Sequence, residues 1–305
     1  MSRALGSEVP IAPETTIGRI VRGLAEAWRV IARNPLSSAG VVLVLAITAV
    51  AILAPVLAPY DPTTQHLAQR LSPPSATFPL GSDSYGRDVL SRLLWGARSS
   101  LLVGVGSVLV GAVVGVSIGM YVGYVGGWVE SLAMRIIDAM MAFPSLVLAL
   151  MFVTALGSSL SSVIVAIAAT MVPKFARLAQ GATIALKERE FVQAARAAGA
   201  STGLIVVRHV LPNILGPLIV LATLNIAYGI RTEASLGFLG AGIRPPHPTW
   251  GNMIKDGLDH IMFAPWLATI PGIAIVLSVL GFNLAGDGLR DYLDPQSRTQ
   301  DARGG

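Results

Sequence analysis

Five stretches of this 305-residue chain contain no Asp, Glu, Lys or Arg: 34–60, 99–129, 139–173, 210–230 and 261–286. Hydrocarbon offers no partner to backbone N–H and C=O groups, so a single chain segment crosses it only as a helix or as part of a closed barrel. About 20 apolar residues reach across a ~30 Å core, and four of the five stretches suit one crossing each. A single helix over the 35 residues of 139–173 would run ~52 Å. Gly157-Ser158-Ser159 supplies a turn within it, and its first helix is placed from Leu132. Six spans result, at about 37–59, 99–123, 132–156, 160–180, 213–236 and 264–286. Composition excludes a soluble alternative. Hydrophobic residues make up 53% and charged residues 13%, against roughly 25% charged in soluble domains.

An even number of spans puts both termini on one side. That side carries 15 of the 22 Lys and Arg residues, including Arg135, Lys174, Arg177, Lys187, Arg189, Arg196 and Arg208. The other side carries Arg70, Arg87, Arg92, Arg98, Arg244 and Lys255, and Arg231 falls inside span five. The positive-inside rule therefore makes both termini cytoplasmic. The net charge of +5 expresses this bias and does not point to nucleic acid. The apolar stretch of a secretory signal belongs near residue 10. Here a polar, basic segment comes first, so span one reads as a retained helix.

Outside the spans, 17–33 reads as a basic amphipathic helix, with Ile17, Ile20, Leu24, Trp28 and Ile31 on one face, suited to the membrane interface. Segment 61–98 is external and proline-rich, and its end, 88–95, reads as a short surface helix. Residues 237–263 form a second external segment. Its Gly and Pro content and an exposed Trp250 suit either a docking lid or an irregular connector.

Span two has the most regular pattern. Gly111, Gly115, Gly119, Gly123 and Gly127 recur every fourth residue, with Ser107 one step earlier. On a helix they form one ridge that lets a neighbouring backbone approach closely. Gly115-Val116-Ser117-Ile118-Gly119 also matches a nucleophile-elbow spacing. That chemistry needs a strand–turn–helix and an ordered His and Asp, which an unbroken apolar helix does not supply. Arg135 and Asp138 read as an i,i+3 ion pair at the membrane edge, with a functional role as the alternative. Arg231 and Glu233 are two apart and point to different faces.

Residues 181–212 join spans four and five. The segment reads as a helix–turn–helix lying outside the membrane: a helix through Glu190, Phe191, Gln193, Ala194, Ala195 and Arg196, a C-terminal Gly199, then Ala200, an N-capping Ser201, and a second helix through His209 that Pro212 stops. One face is nearly all alanine. It suits either a groove in another protein, with Phe191 as anchor, or packing on the chain itself.

This loop resembles the EAA loop of ABC-importer permeases, whose pattern is E-A-A, three residues, G, nine residues, I-x-L-P. Gln193-Ala194-Ala195, Gly199 and His209-Val210-Leu211-Pro212 keep that spacing, with Gln193 and His209 departing from it. Glu190, one turn earlier, stands where it could partly replace the missing carboxylate. The run Arg208 to Asn213 is similar to the peptide/nickel branch. Asn34-Pro35-Leu36, Ala58-Pro59-Tyr60-Asp61-Pro62, the block 79–98, Leu236-Gly237-Phe238-Leu239-Gly240 and Pro248-Thr249-Trp250-Gly251 resemble the C-type dipeptide/oligopeptide permeases.

The resemblance implies an all-α integral membrane protein with the type I ABC importer permease fold. Its parts would be a tail at 1–34, a first transmembrane helix at 35–60, the extracytoplasmic segment 61–98, a permease core at 99–288 with the coupling loop 181–212, and a tail at 289–305. It implies a bacterial plasma membrane location and three partners besides the lipid bilayer: a B-type permease, two ATPase domains on the cytoplasmic face, and an extracytoplasmic binding protein delivering a di- or oligopeptide. Nickel chelates or haem-like cargo are the alternatives, with an ion-coupled secondary transporter a distant third. No cofactor is expected in this chain. The three lysines follow Pro173, Leu186 and Ile254, never a glycine, so no P-loop is present. ATP and Mg would bind the partner ATPases.

Overall fold

The computed structural model describes residues 34–293. The amphipathic helix expected at 17–33 and the C-terminal tail from 294 lie outside the described residues. Nine helices are present among those described: α1 (Pro35–Leu57), α2 (Val89–Val125), α3 (Gly127–Ala142), α4 (Ser145–Leu156), α5 (Leu160–Lys187), α6 (Glu190–Ala197), α7 (Thr202–Phe238), α8 (Trp250–Leu258) and α9 (Trp266–Leu293). Five of them, α1, α2, α5, α7 and α9, are each long and apolar enough to cross a membrane, and α3 with α4 supplies a sixth crossing if the bent pair is one span.

Local chemistry sets most of the ends. The Asn34 side chain accepts from the Leu36 N–H at 3.0 Å, with Pro35 in the first turn of α1. Ser159 caps α5 through the Ser162 N–H. Asp88 caps α2 by accepting from the Ser91 N–H at 2.8 Å. The stretch 88–95, expected as a separate surface helix, is therefore the first part of the 37-residue α2. No breaker separates it from the apolar run, and Gly96, at the junction, packs under Trp250.

Span three departs most from expectation. In place of one helix over 132–156, α3 and α4 meet at 99°. Phe143 is extended (φ −83°, ψ 138°) because the ring of Pro144 disfavours helical geometry in the residue before it. The expected Arg135–Asp138 pair does not form. Asp138 instead pairs with Arg177 on α5, and Glu130 accepts from the Gln180 amide, so α3 is tied to α5 by side chains at both levels.

The core forms where α2 lies along α5. A Cβ at Gly111 would stand 3.0 Å from Met171 Cβ. At Gly115 it would stand 2.6 Å from the Val172 carbonyl oxygen, and at Gly123 2.8 Å from that of Gln180. At Gly119 it would collide with the Ala176 carbonyl oxygen. Ser107, on the same ridge, donates to the Ile164 carbonyl at 3.1 Å. Gly127 is not part of this ridge. Gly126 leaves helical geometry at φ +73°, and a Cβ on Gly127 would meet nothing within 4 Å. Ser117 sits exposed in the unbroken α2. On the other flank of α2, α7 approaches through Gly229, whose Cβ would be 3.1 Å from Gly104 Cα. Helix α9 joins α7 to α1. The outward faces are apolar, as at Leu45, Ile52, Val113 and Val276, which suits lipid or a partner helix.

The far end of the bundle from α6 is closed by charge pairing. Asp83 accepts from the Tyr85 and Arg87 N–H groups and takes Arg87 Nε at 2.6 Å and Arg92 Nε at 3.3 Å. Arg87 reaches Asp256 of α8 at 3.6 Å. Burial pushes the Asp256 carboxyl above its ordinary range, against the pull of Arg92 and Arg87. Trp250, expected to be exposed, is buried and donates through Nε1 to the Leu93 carbonyl at 3.0 Å. Within 237–263, α8 packs chiefly on α9 and α7 and meets α2 through Trp250.

Gly119→Leu should lower the thermal midpoint of the purified protein by several degrees or prevent its assembly, because overpacking a filled contact costs about 1–3 kcal/mol or more. Gly181→Ala, on the same helix pair but with open space around its Cβ position, should be neutral or stabilising by up to ~1 kcal/mol.

Candidate functional site

The site starts where α5 ends. Lys187 closes that helix and donates from Nζ to the Gly123 carbonyl at 3.2 Å, tying the end of α5 to the end of α2. Two residues later the chain enters α6, eight residues long. Such a short helix is marginal alone, so tertiary contact has to hold it. Val192 provides that contact. It is fully buried and packs with Tyr124, the residue after the glycine ridge, and with Ile205 at the start of α7. Ala195, Ala200 and Val206 complete the contact, and the Arg196 guanidinium lies 5.3 Å from the centre of the Tyr124 ring.

The end of α6 follows the expected chemistry. Gly199 is left-handed at φ +81°. Its N–H donates to the Arg196 carbonyl, and the Ala200 N–H donates to the Ala195 carbonyl, the paired bonds of a Schellman ending. Ser201 accepts from the Leu204 N–H at 3.4 Å and starts the next helix. Pro212 does not stop that helix. A proline removes one N–H and crowds the carbonyl four residues earlier. The turn over Val206–Val210 widens to π geometry, with the Leu211 N–H reaching the Val206 carbonyl, and α7 runs through. The expected helix–turn–helix at 181–212 is thus one short free helix, flanked by extensions of α5 and α7.

What α6 presents outward is clear. Glu190, Phe191, Gln193, Ala194, Arg196, Ala197, Ala198 and Gly199 are exposed, and Ala195 and Ala200 are half-buried. Gln193 turns back, its amide donating to the Lys187 carbonyl at 3.3 Å, a bond that a carboxylate could not make. His209 is half-buried and lies 6.4 Å, centre to centre, from the Phe191 ring. Pro212 is exposed beside it. The loop residues singled out from the sequence therefore gather at one end of the bundle, while Gly111, Gly115, Gly119 and Gly123 serve helix packing and Gly127 does not. Sequence reasoning missed Val192, Tyr124 and Lys187, which hold α6 from behind. Val192, one of two large apolar residues on a helix otherwise polar or alanine-rich, was the available signal.

Glu233 also has a place. It is fully buried on α7, and the Ser100 hydroxyl of α2 donates to its Oε2 at 2.9 Å. Arg231 faces the exposed side, as the two-residue spacing requires.

The described residues thus form a bundle of apolar helices with one short braced helix, α6, beyond its spans. Comparison with known proteins specifies the family. The family model "Binding-protein-dependent transport system inner membrane component" matches residues 115–299, and "N-terminal TM domain of oligopeptide transport permease C" matches 24–74. The dipeptide transport system permease protein DppC of Alkalihalophilus pseudofirmus is 43% identical over 274 residues, covering 90% of each chain. The glutathione transport system permease protein GsiD of Pectobacterium atrosepticum is 42% identical, over 90% of this chain and 91% of its own. The di/tripeptide transport system permease protein DppC of Pseudomonas aeruginosa is 44% identical, over 90% and 92%. In fold, the chain is similar to the MetNI methionine ABC transporter in an inward facing conformation, with TM-score 0.54, 21% identity, and coverage of 67% of this chain and 96% of that one. The chain belongs to the inner membrane components of binding-protein-dependent ABC importers, among the C-type permeases. It is a multi-pass inner membrane protein.

Val192→Ala should free α6 by removing about 1–1.5 kcal/mol of burial. Amide hydrogen exchange across 190–200 should quicken by roughly tenfold, while that of α2 and α5 stays unchanged.

Proposed function

We propose that this subunit pairs with a B-type permease to form the path for a di- or oligopeptide, and that α6 is the element on which the partner ATPases act. The reading rests on one observation above the others: an eight-residue helix whose Val192 is buried behind it and whose Glu190, Phe191, Gln193, Ala194, Arg196 and Ala197 are turned outward. A helix anchored on one face and exposed on the other can seat in a groove and transmit a push. Its anchor is Tyr124 at the end of α2 and Ile205 at the start of α7, so movement of α6 reaches both spans directly. The glycine contact makes α2 and α5 move together, which suits rigid-body switching of the cavity. Glu190, Phe191, Ala194, Arg196 and Gly199 would meet the ATPase, with Ala195, Ala200, Ser201 and Pro212 shaping the contact. Gln193 and His209 would support it from their own chain.

The named relatives carry dipeptides, di/tripeptides or glutathione, which supports a short peptide as cargo here. The Lys and Arg bias supports a cytoplasmic position for α6 and for both termini. The far end, closed by Asp83, Arg87, Arg92 and Asp256, would then receive the extracytoplasmic binding protein. ATP and Mg would be bound by the ATPases and not by this chain.

Ala194→Asp and Gly199→Trp should leave the subunit inserted and paired yet lower binding-protein-stimulated ATP hydrolysis by about tenfold or more, a coupling loss of ordinary size. The first puts a charge on the seating face. The second adds a side chain at φ +81°, which costs about 1–2 kcal/mol. Wild-type stimulation in either variant would remove α6 from the role. Dipeptide uptake into proteoliposomes holding the full complex tests the cargo.

A further inference from the structure

The spans hold a group of cations that neither the coupling helix nor the ion-paired end of the bundle uses. Lys174 lies on α5 fourteen residues beyond Leu160, about 21 Å into the bundle at 1.5 Å per residue. Its Nζ is 3.4 Å from Asn225 Oδ1 and 4.0 Å from the centre of the Tyr228 ring. One turn along α7, the Arg231 guanidinium carbon stands 5.6 Å from the centre of the same ring. Asn225, Tyr228 and Arg231 are three residues apart and form one ridge of α7.

The polar balance of this ridge is one-sided. Among the described residues, the ion pairs lie elsewhere, at Asp83, Asp256 and Asp138, and neither Lys174 nor Arg231 has a carboxylate partner. The Tyr228 hydroxyl is buried and has no hydrogen-bond partner. Asn225 Oδ1 is the one acceptor facing Lys174 there. A cation at mid-span is costly unless it faces a wet cavity or an anion, and unspent donors on two cations and a phenol fit an anion best. Cavities flank the ridge. One of about 590 Å³ is lined by Lys174, Leu221, Leu224 and Arg290. A second of about 380 Å³, toward the far end, is lined by Arg231, Ser235 and Phe238. Each is of the size that takes a small ligand, and one of the two cations lines each.

We propose that Lys174, Tyr228 and Arg231 form a carboxylate-binding station in the transport path, which takes the C-terminal carboxylate of the peptide as it passes. Both cations lie against the Tyr228 ring, Lys174 from α5 and Arg231 from α7, so the carboxylate can be handed from Arg231 to Lys174 beside it. This rests on the peptide-import reading above. A lipid phosphate or an acidic side chain of the second permease would be a different occupant.

The test uses the complete complex in lipid nanodiscs without nucleotide. Lys174 is acylated with a small amine reagent, and its labelling rate is followed by mass spectrometry. Millimolar N-acetyl dipeptide, whose one charge is its carboxylate, should slow the labelling by about fivefold or more, whereas the corresponding C-terminal amide should leave it nearly unchanged. Equal effects of the two peptides, no protection by either, or a Lys174 already unreactive before peptide is added would overturn the proposal. The last result would give the cation to a lipid or to the partner permease. In proteoliposomes with saturating loaded binding protein, Lys174→Gln should reduce peptide import about tenfold while stimulated ATP hydrolysis stays near wild type, and Lys174→Arg should restore most of the import. Unchanged import in Lys174→Gln would also overturn it. A wild-type complex that imports no di- or tripeptide would defeat the cargo reading, and the labelling result would still decide whether the ridge binds carboxylate.

Discussion

Everything else in the molecule depends on how closely α2 approaches α5. Between apolar helices in lipid there is little hydrophobic gain from association, so contact has to come from tight van der Waals fit. Gly111, Gly115, Gly119 and Gly123 bring the α2 backbone against the carbonyl edge of α5, where a single β-carbon would not fit at Gly115 or Gly119. The pairing makes a rigid slab. Its lower edge carries Tyr124 and Lys187, which brace α6. Its other flank receives α7 through the Gly104–Gly229 crossing.

Polar groups are distributed around this slab according to what the solvent allows. At the end away from α6, charges are numerous and pair with one another across segment 61–88, α2 and α8. At the α6 end, charged residues are exposed, while the apolar Val192 is hidden. Inside the spans, polar side chains are few. The Ser100 hydroxyl donates to Glu233 Oε2, and Lys174 is held by Asn225 and the face of Tyr228.

The local features were readable in advance. Gly199 and Ser201 end one helix and begin the next by short-range backbone chemistry, and both do so where the sequence places them. The four-residue glycine period announced a packing ridge, although not that α5 was its partner. Three readings failed for one reason, namely that continuity of a helix is decided by what surrounds its weak points. The stretch 88–95 runs into α2 because Trp250 covers Gly96. Pro212 is absorbed by a π turn. Pro144 turns the chain by 99°, and α3 is then held by Asp138–Arg177 and Glu130–Gln180. Gly127 fits the glycine period but lies beyond the end of the helix that carries it.

By itself the sequence determined the class of the molecule: the apolar runs, their number, the small-residue contact, the caps of the connecting helix, and the bias of basic residues to one side. Each follows from interactions within a few residues or from the cost of burying charge in lipid. Tertiary structure alone decided which side chains meet. Ser100 and Glu233, Asp138 and Arg177, and Lys174 and Tyr228 are each separated by tens of residues. No periodicity links them, because only the packing of α2, α3, α5 and α7 brings their faces together.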